Sequence, residues 1–243
     1  MAKTVLLLED DRSFRQLVIP LLRARGLAVV EAARASDATR LLASSPELAK
    51  GPDLIVVDGL LPDGNGADWL RSLPPQVRAR PTVFVSAFWK SLKDHRTLQQ
   101  ELGVALIVHK PVSPESLVEQ IDRLLGQADQ PGLPPEVARE MAKLKAEYAR
   151  ELAGKLEELR RAVRLARQAP GDARARHEAR SLAHRLSGTA GSYGFPDESD
   201  AAGLVESHAI AAEKAAPQEL GALWEAAERA VADALLARVV ADG

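Results

Sequence analysis

Four sets of polar residues stand directly behind short apolar runs, and their types suit phosphoryl chemistry. Glu9, Asp10 and Asp11 follow TVLLL, Asp58 follows LIVV, Ser86 follows TVFV, and Lys110 follows ALIVH. Crowded carboxylates repel unless a cation neutralises them, and an all-oxygen, partly hydrated site suits Mg2+. In such a site one carboxylate can act as nucleophile toward a phosphoryl group. The metal and a lysine then offset charge on its equatorial oxygens, and a serine hydroxyl donates a hydrogen bond. Each residue alone has a plainer reading, as a helix cap or a surface ion pair. Their joint occurrence at four run ends favours the chemical one.

A second candidate is His184, within LAHRLSGTAGSYGF (182–195). An imidazole is nucleophilic near neutral pH and can carry a phosphoryl group on a ring nitrogen, with Arg180 and Arg185 close enough to counter its charge. On a helix, Leu182, Leu186, Thr189, Ala190 and Tyr193 share an inward face. His184 falls with Arg180, Ser187, Gly188 and Gly191 on another, which predicts an outward-looking histidine on an open docking surface. Two blander alternatives compete: a solvated histidine beside glycines that permit close helix packing, and a metal site shared by His177, His184 and His208. The metal reading lacks a carboxylate at ligand spacing.

The elements that must position these groups fall into two halves. Up to Gly126, runs at Thr4–Leu8, Leu27–Glu31, Leu54–Val57, Thr82–Ser86 and Ala105–Val108 alternate with helical patterns. One such pattern is Arg12–Arg25, with Phe14, Leu17, Val18, Leu21 and Leu22 on one face. Nearly all-apolar strands separated by helices predict a doubly wound α/β fold, with a five-stranded parallel sheet buried on both faces. Ligands of such sheets gather at the carboxyl ends of the strands, where all four sets lie.

Residues 127–135 (QADQPGLPP) read as a linker, so the expected division is a first domain at 1–126 and a second at 136–243. In the second, Leu144, Tyr148, Leu152, Leu156, Leu159 and Val163 mark a long amphipathic helix. Further helical patterns run over Asp172–Ser192, Asp197–Lys214 and Gln218–Val240, predicting an all-α four-helix bundle.

The first half resembles the response-regulator receiver domain, with its flavodoxin-like fold, through LLLEDDRSFR, VVDGLLPDGNG, VFVSA and VHKP over about residues 3–126. That resemblance implies that Asp58 is the phosphoacceptor and that Glu9, Asp10, Asp58 and the Leu60 main-chain carbonyl bind Mg2+. It further implies that Ser86 and Lys110 bind phosphoryl oxygens, that Asp11 caps the following helix, and that a cis peptide bond at Pro111 places the lysine. A rival class, the phosphohydrolases with an aspartate nucleophile, wants an acid two residues on, where this chain has Leu60. Ile107 stands where many receivers have a switch aromatic. Leu60 and Phe88 flank the acceptor as bulky apolar residues, and slow self-hydrolysis of an aspartyl phosphate is the expectation.

The second half resembles the histidine phosphotransfer (HPt) domain over about residues 134–240, through AHRLSGTAGSYG. His184 would then be a phosphoacceptor, although Ser187 replaces a lysine common in that family. Together the two resemblances imply a phosphorelay protein of two-component signalling, whose partners are a sensor histidine kinase or other receiver or HPt proteins. A homodimer is a further option. The alternative is a response regulator whose helical half is only a dimerisation or partner-binding output. Exposed Phe88 and Trp89 suggest a contact surface.

Bulk properties narrow the field. Among 243 residues there is no cysteine, which removes disulfides and thiol catalysis. A net charge of −2 and only three Trp, two Tyr and four Phe argue against nucleic acid as a partner. No apolar run approaches the roughly 18 residues needed to span a bilayer. The N-terminal apolar stretch is too short for a signal peptide and runs straight into acids, so the expected location is the cytoplasm.

Overall fold

The computed structural model describes residues 2–86, 95–127, 133–216 and 218–241. Phe88 and Trp89 lie outside them. The chain divides into two compact units, residues up to 142 and residues from 143.

The first unit is built on β1 (Thr4–Leu8), β2 (Ala28–Ala32), β3 (Leu54–Asp58), β6 (Thr82–Ser86) and β7 (Leu106–His109). They form a wholly parallel sheet in the order β2-β1-β3-β6-β7. The inner strands β1, β3 and β6 are buried almost throughout, as their unbroken apolar runs require. The edge strands are not: β2 and β7 are half-exposed, which corrects the expectation that every strand is covered on both faces. A short hairpin of β4 (Leu60–Leu61) and β5 (Gly64–Asn65) follows β3 and had no signal in the apolar periodicity.

Helix α1 (Arg12–Ala24) begins where the Asp11 carboxylate accepts hydrogen bonds from the backbone N–H groups of Ser13 and Phe14. It buries Phe14, Leu17, Val18, Leu21 and Leu22, the stripe expected from their spacing. α2 (Ala35–Ser44), α3 (Pro46–Ala49), α4 (Gly66–Ser72) and α5 (Pro75–Arg78) occupy the next crossovers. A π-helical turn, α6 (Thr97–Glu101), precedes β7. α7 (Pro114–Leu124) starts on a Ser113 cap with Pro114 in its first turn. One core cluster joins Leu6, Leu8, Ile55, Val57 and Phe84 of the strands to Ala38 and Leu42 of α2 and Trp69 and Leu70 of α4.

Four helices follow: α8 (Pro135–Gln168), α9 (Ala173–Tyr193), α10 (Pro196–Ala212) and α11 (Leu220–Ala241). In the second unit, α8 buries Tyr148, Leu152, Leu156, Leu159 and Val163, the apolar stripe read from its spacing. Tyr148 stacks on Tyr193 of α9 with centroids 4.0 Å apart. α10 packs against both α9 and α11. Arg238 of α11 bonds the Ala149 carbonyl of α8 and pairs with Glu198 of α10 at 2.9 Å. The result is the four-helix architecture expected from the sequence. None of the described helices is long and apolar enough to cross a membrane.

Candidate functional site

The strand ends bring the first set together. Glu9 follows β1 and Asp58 ends β3. Their side chains are buried, and both contact Lys110, the residue immediately after β7. The Lys110 Nζ donates to Glu9 Oε1 and Oε2 at 3.0 and 2.8 Å and to Asp58 Oδ2 at 2.6 Å. It also lies 5.0 Å from the centroid of the Phe14 ring. Oxygens of Glu9, Asp10 and Asp58 lie within 4.8 Å of one another. Ser86 is wholly buried, and its carbonyl accepts from Lys110 N at 3.1 Å. The Lys110–Pro111 peptide bond is cis, as the resemblance implied.

Electrostatics follow from burial and crowding. Burial and the neighbouring Asp58 charge push the Glu9 carboxyl well above its ordinary range, while Lys110 pulls it back only in part. Burial alone would lower Lys110, but Asp58 and Glu9 overcome it and hold the ammonium charged. Three carboxylates against a single buried ammonium leave negative charge in excess. An all-oxygen donor set with that excess fits a divalent cation of the Mg2+ type.

Two glycines make the approach possible. A Cβ on Gly66 would sit 2.1 Å from the Asp58 carbonyl oxygen, and one on Gly59 would sit 2.5 Å from Ser86 Oγ. Leu60 N donates to Asp58 Oδ1 at 3.1 Å, so the hairpin arm starts against the carboxylate. Arg15, one turn into α1, donates to the carbonyls of Glu9 and Asp10 at 2.6 and 3.0 Å and pairs with Glu31 of β2 at 3.1 Å. The sequence reading missed Arg15. Its only signal was a basic residue one turn after the acids.

His184 is placed differently from expectation. It does not look outward: only 4% of the residue is exposed, and its Nδ1 lies 2.8 Å from Oε1 of the equally buried Glu206 on α10. Small residues explain the difference. Gly203 of α10 lies so close to α9 that an added Cβ would be 3.3 Å from Ser187 Oγ, and Ser199 Oγ donates to the Ser187 carbonyl at 2.6 Å. The face read as an open surface is the seam between two closely packed helices, and Ser187 and Gly188 are buried in it. Arg180 pairs with Glu213 at 2.6 Å and Arg185 donates to Ser181 Oγ at 2.8 Å, so both arginines are held by neighbours within the bundle. Among the described residues, His177, His184 and His208 form no metal-binding group. Glu206 could not have been found from local spacing, because it lies on another helix.

The fold and sites define a class: a receiver-type parallel α/β unit with an acidic pocket at its strand ends, followed by a helical unit of the phosphotransfer kind. Residues 5–122 match the family described as the response regulator receiver domain, and residues 143–238 match the Hpt domain. The chain therefore carries a receiver domain followed by an Hpt domain.

Among curated proteins, the chain is 34% identical over 143 residues to the alkaline phosphatase synthesis transcriptional regulatory protein SphR of Synechococcus elongatus, covering 57% of this chain and 55% of that one. It is 30% identical over 125 residues to the phosphate regulon transcriptional regulatory protein PhoB of Escherichia coli, covering 51% and 52%. The chain thus spans about half the length of the curated relatives it matches. A solved CheY-like receiver domain from Methanospirillum hungatei is 23% identical with a TM-score of 0.46, covering 54% of this chain and all of that one.

Proposed function

We propose that the chain is a phosphorelay carrier, in which Asp58 accepts a phosphoryl group from a histidine of a kinase or HPt partner and His184 exchanges one with a receiver aspartate. In the first step an Asp58 carboxylate oxygen attacks phosphorus, the phosphorus–nitrogen bond of the donor phosphohistidine breaks, and the departing imidazole takes up a proton. The observation that carries this reading is Lys110, charged and buried, bonded to both Glu9 and Asp58. Ser86 and Lys110 would hold the transferred oxygens. Glu9, Asp10, Asp58 and the Leu60 carbonyl would hold Mg2+, which supplies charge neutralisation on the phosphoryl oxygens. The proposed division is a receiver at 1–126, a linker at 127–135 and the HPt bundle at 136–243.

In the bundle, Glu206 opposite Nδ1 leaves Nε2 as the nitrogen to carry phosphoryl. With only 4% of the histidine exposed, the ring must swing out of the α9–α10 seam for an aspartyl phosphate to reach it. That burial, with Ser187 in place of a lysine, favours a second reading: a response regulator whose helical half binds partners and whose His184 stays unmodified.

Phosphotransfer assays on wild type, Asp58→Asn and His184→Gln separate the two. The relay reading predicts a base-labile label lost with Asp58→Asn and an acid-labile label lost with His184→Gln. An acid-labile label that persists in His184→Gln, or that never forms with any cognate receiver, would leave the output reading.

A further inference from the structure

The hairpin that carries Leu60 is pinned at its base by bonds already described. Gly66 N also donates to the Gly59 carbonyl at 3.2 Å, and Asn65 caps α4 by accepting from Asp68 N at 2.8 Å. Its tip has a separate anchor. Asp63, between Pro62 and Gly64, reaches back across the sequence to α2. Its Oδ1 accepts from Ala35 N at 2.9 Å and its Oδ2 from Ser36 N at 3.0 Å. α2 has no cap of its own, because Arg34 occupies that position and makes no side-chain capping bond. The first N–H groups of a helix need an acceptor, and here a carboxylate from a different loop supplies it. Burial raises the Asp63 carboxyl, yet the bonds from Ser36 and Ala35 prevail and hold it below its ordinary range.

α2 is a firm anchor. Ala38 and Leu42 are buried in the sheet core, and Thr39 Oγ1 accepts from the Trp69 indole N–H at 3.1 Å. A hairpin clamped at its base and tip between fixed elements has little freedom in the arm between, and that arm contains Leu60.

We propose that Asp63 is a positioning residue for the carboxylate site: by capping α2 from the hairpin tip, it holds the Leu60 main chain where its carbonyl meets a divalent cation. The proposal rests on the metal-site reading above. Asp63 touches neither the cation nor a phosphoryl group. Its effect runs through the hairpin.

The test is Mg2+ binding to the full chain by isothermal titration calorimetry, with thermal unfolding in the absence of Mg2+ measured in parallel. Asp63→Ala is expected to weaken Mg2+ binding by about tenfold, the scale on which outer-shell supports act. Asp63→Asn, whose amide oxygen still accepts one bond, should fall between Asp63→Ala and wild type.

Ala35→Pro removes the same bond from the donor side. Proline is suited to a first helical position, and Arg34 already has the extended backbone that a following proline demands. This variant should weaken Mg2+ binding as well, and combining it with Asp63→Asn should cost less than the sum of the two. It keeps the test alive if Asp63→Ala does not fold. A melting temperature that drops while Mg2+ affinity stays within about twofold of wild type would overturn the proposal, leaving Asp63 a helix cap and nothing more. Absence of Mg2+ binding by wild type would overturn the proposal and the metal-site reading together, a distinct result.

Discussion

Nδ1 of His184 lies 2.8 Å from Oε1 of Glu206, and both side chains are buried between α9 and α10. A carboxylate at that distance favours a proton on Nδ1, which leaves the lone pair on Nε2. Glu206→Ala should therefore slow phosphoryl transfer to His184 by roughly tenfold, about 1.4 kcal/mol, through loss of the buried carboxylate that sets the tautomer of the ring. Rapid-quench transfer from a phosphorylated receiver measures it. Unchanged transfer would mean that the pair serves packing alone.

Ser187 faces Gly203 across the same seam. Ser187→Lys, which restores the residue common in HPt domains, should push α10 away and destabilise the bundle by about 1–3 kcal/mol through overpacking. Denaturant unfolding followed through Trp224, fully buried in the bundle, reads the change. A bundle of unaltered stability would show that the lysine finds solvent without moving α10.

The first unit was largely legible because its signals are local. Strand runs, the Asp11 cap and the polar residues at strand ends are all readable within a few positions, and the parallel topology then gathers Glu9, Asp58 and Lys110 without further information. What escaped was nonlocal or cumulative. Asp63 caps a helix 28 positions away in sequence, and Glu206 meets His184 only through helix packing. The orientation of α9 was misjudged because its small residues were read as an open surface. The matching small residues of α10, Ala201, Ala202 and Gly203, turn the same pattern into a close contact.

Lys110 is the cation between Glu9 and Asp58. Lys110→Met should destabilise the receiver by about 2 kcal/mol, less than a broken buried pair usually costs, since Glu9 can neutralise itself by protonation. Mg2+ should recover part of the loss, seen as a larger rise in melting temperature with Mg2+ than wild type shows. Equal shifts in both proteins would contradict the charge account.

Glu228 of α11 is held below its ordinary carboxyl range by hydrogen bonds from Arg164 and Arg167 of α8, at 2.6 and 2.8 Å. Because the folded value is depressed, this contribution to stability is complete above the ordinary glutamate range and is lost as the pH falls through the folded value. Glu228→Gln should therefore lower stability at neutral pH and flatten its acid dependence. Urea melts across the acid range would show parallel curves for both proteins if the two arginines contribute nothing.

Asp58 is the centre of the account, and intact-protein mass spectrometry after incubation with a small-molecule phosphodonor and Mg2+ tests it most directly. Wild type should gain the mass of one phosphoryl group as a base-labile adduct, dependent on Mg2+, and Asp58→Asn should gain none. An adduct of equal extent on Asp58→Asn, or no adduct on wild type with any donor, would contradict it.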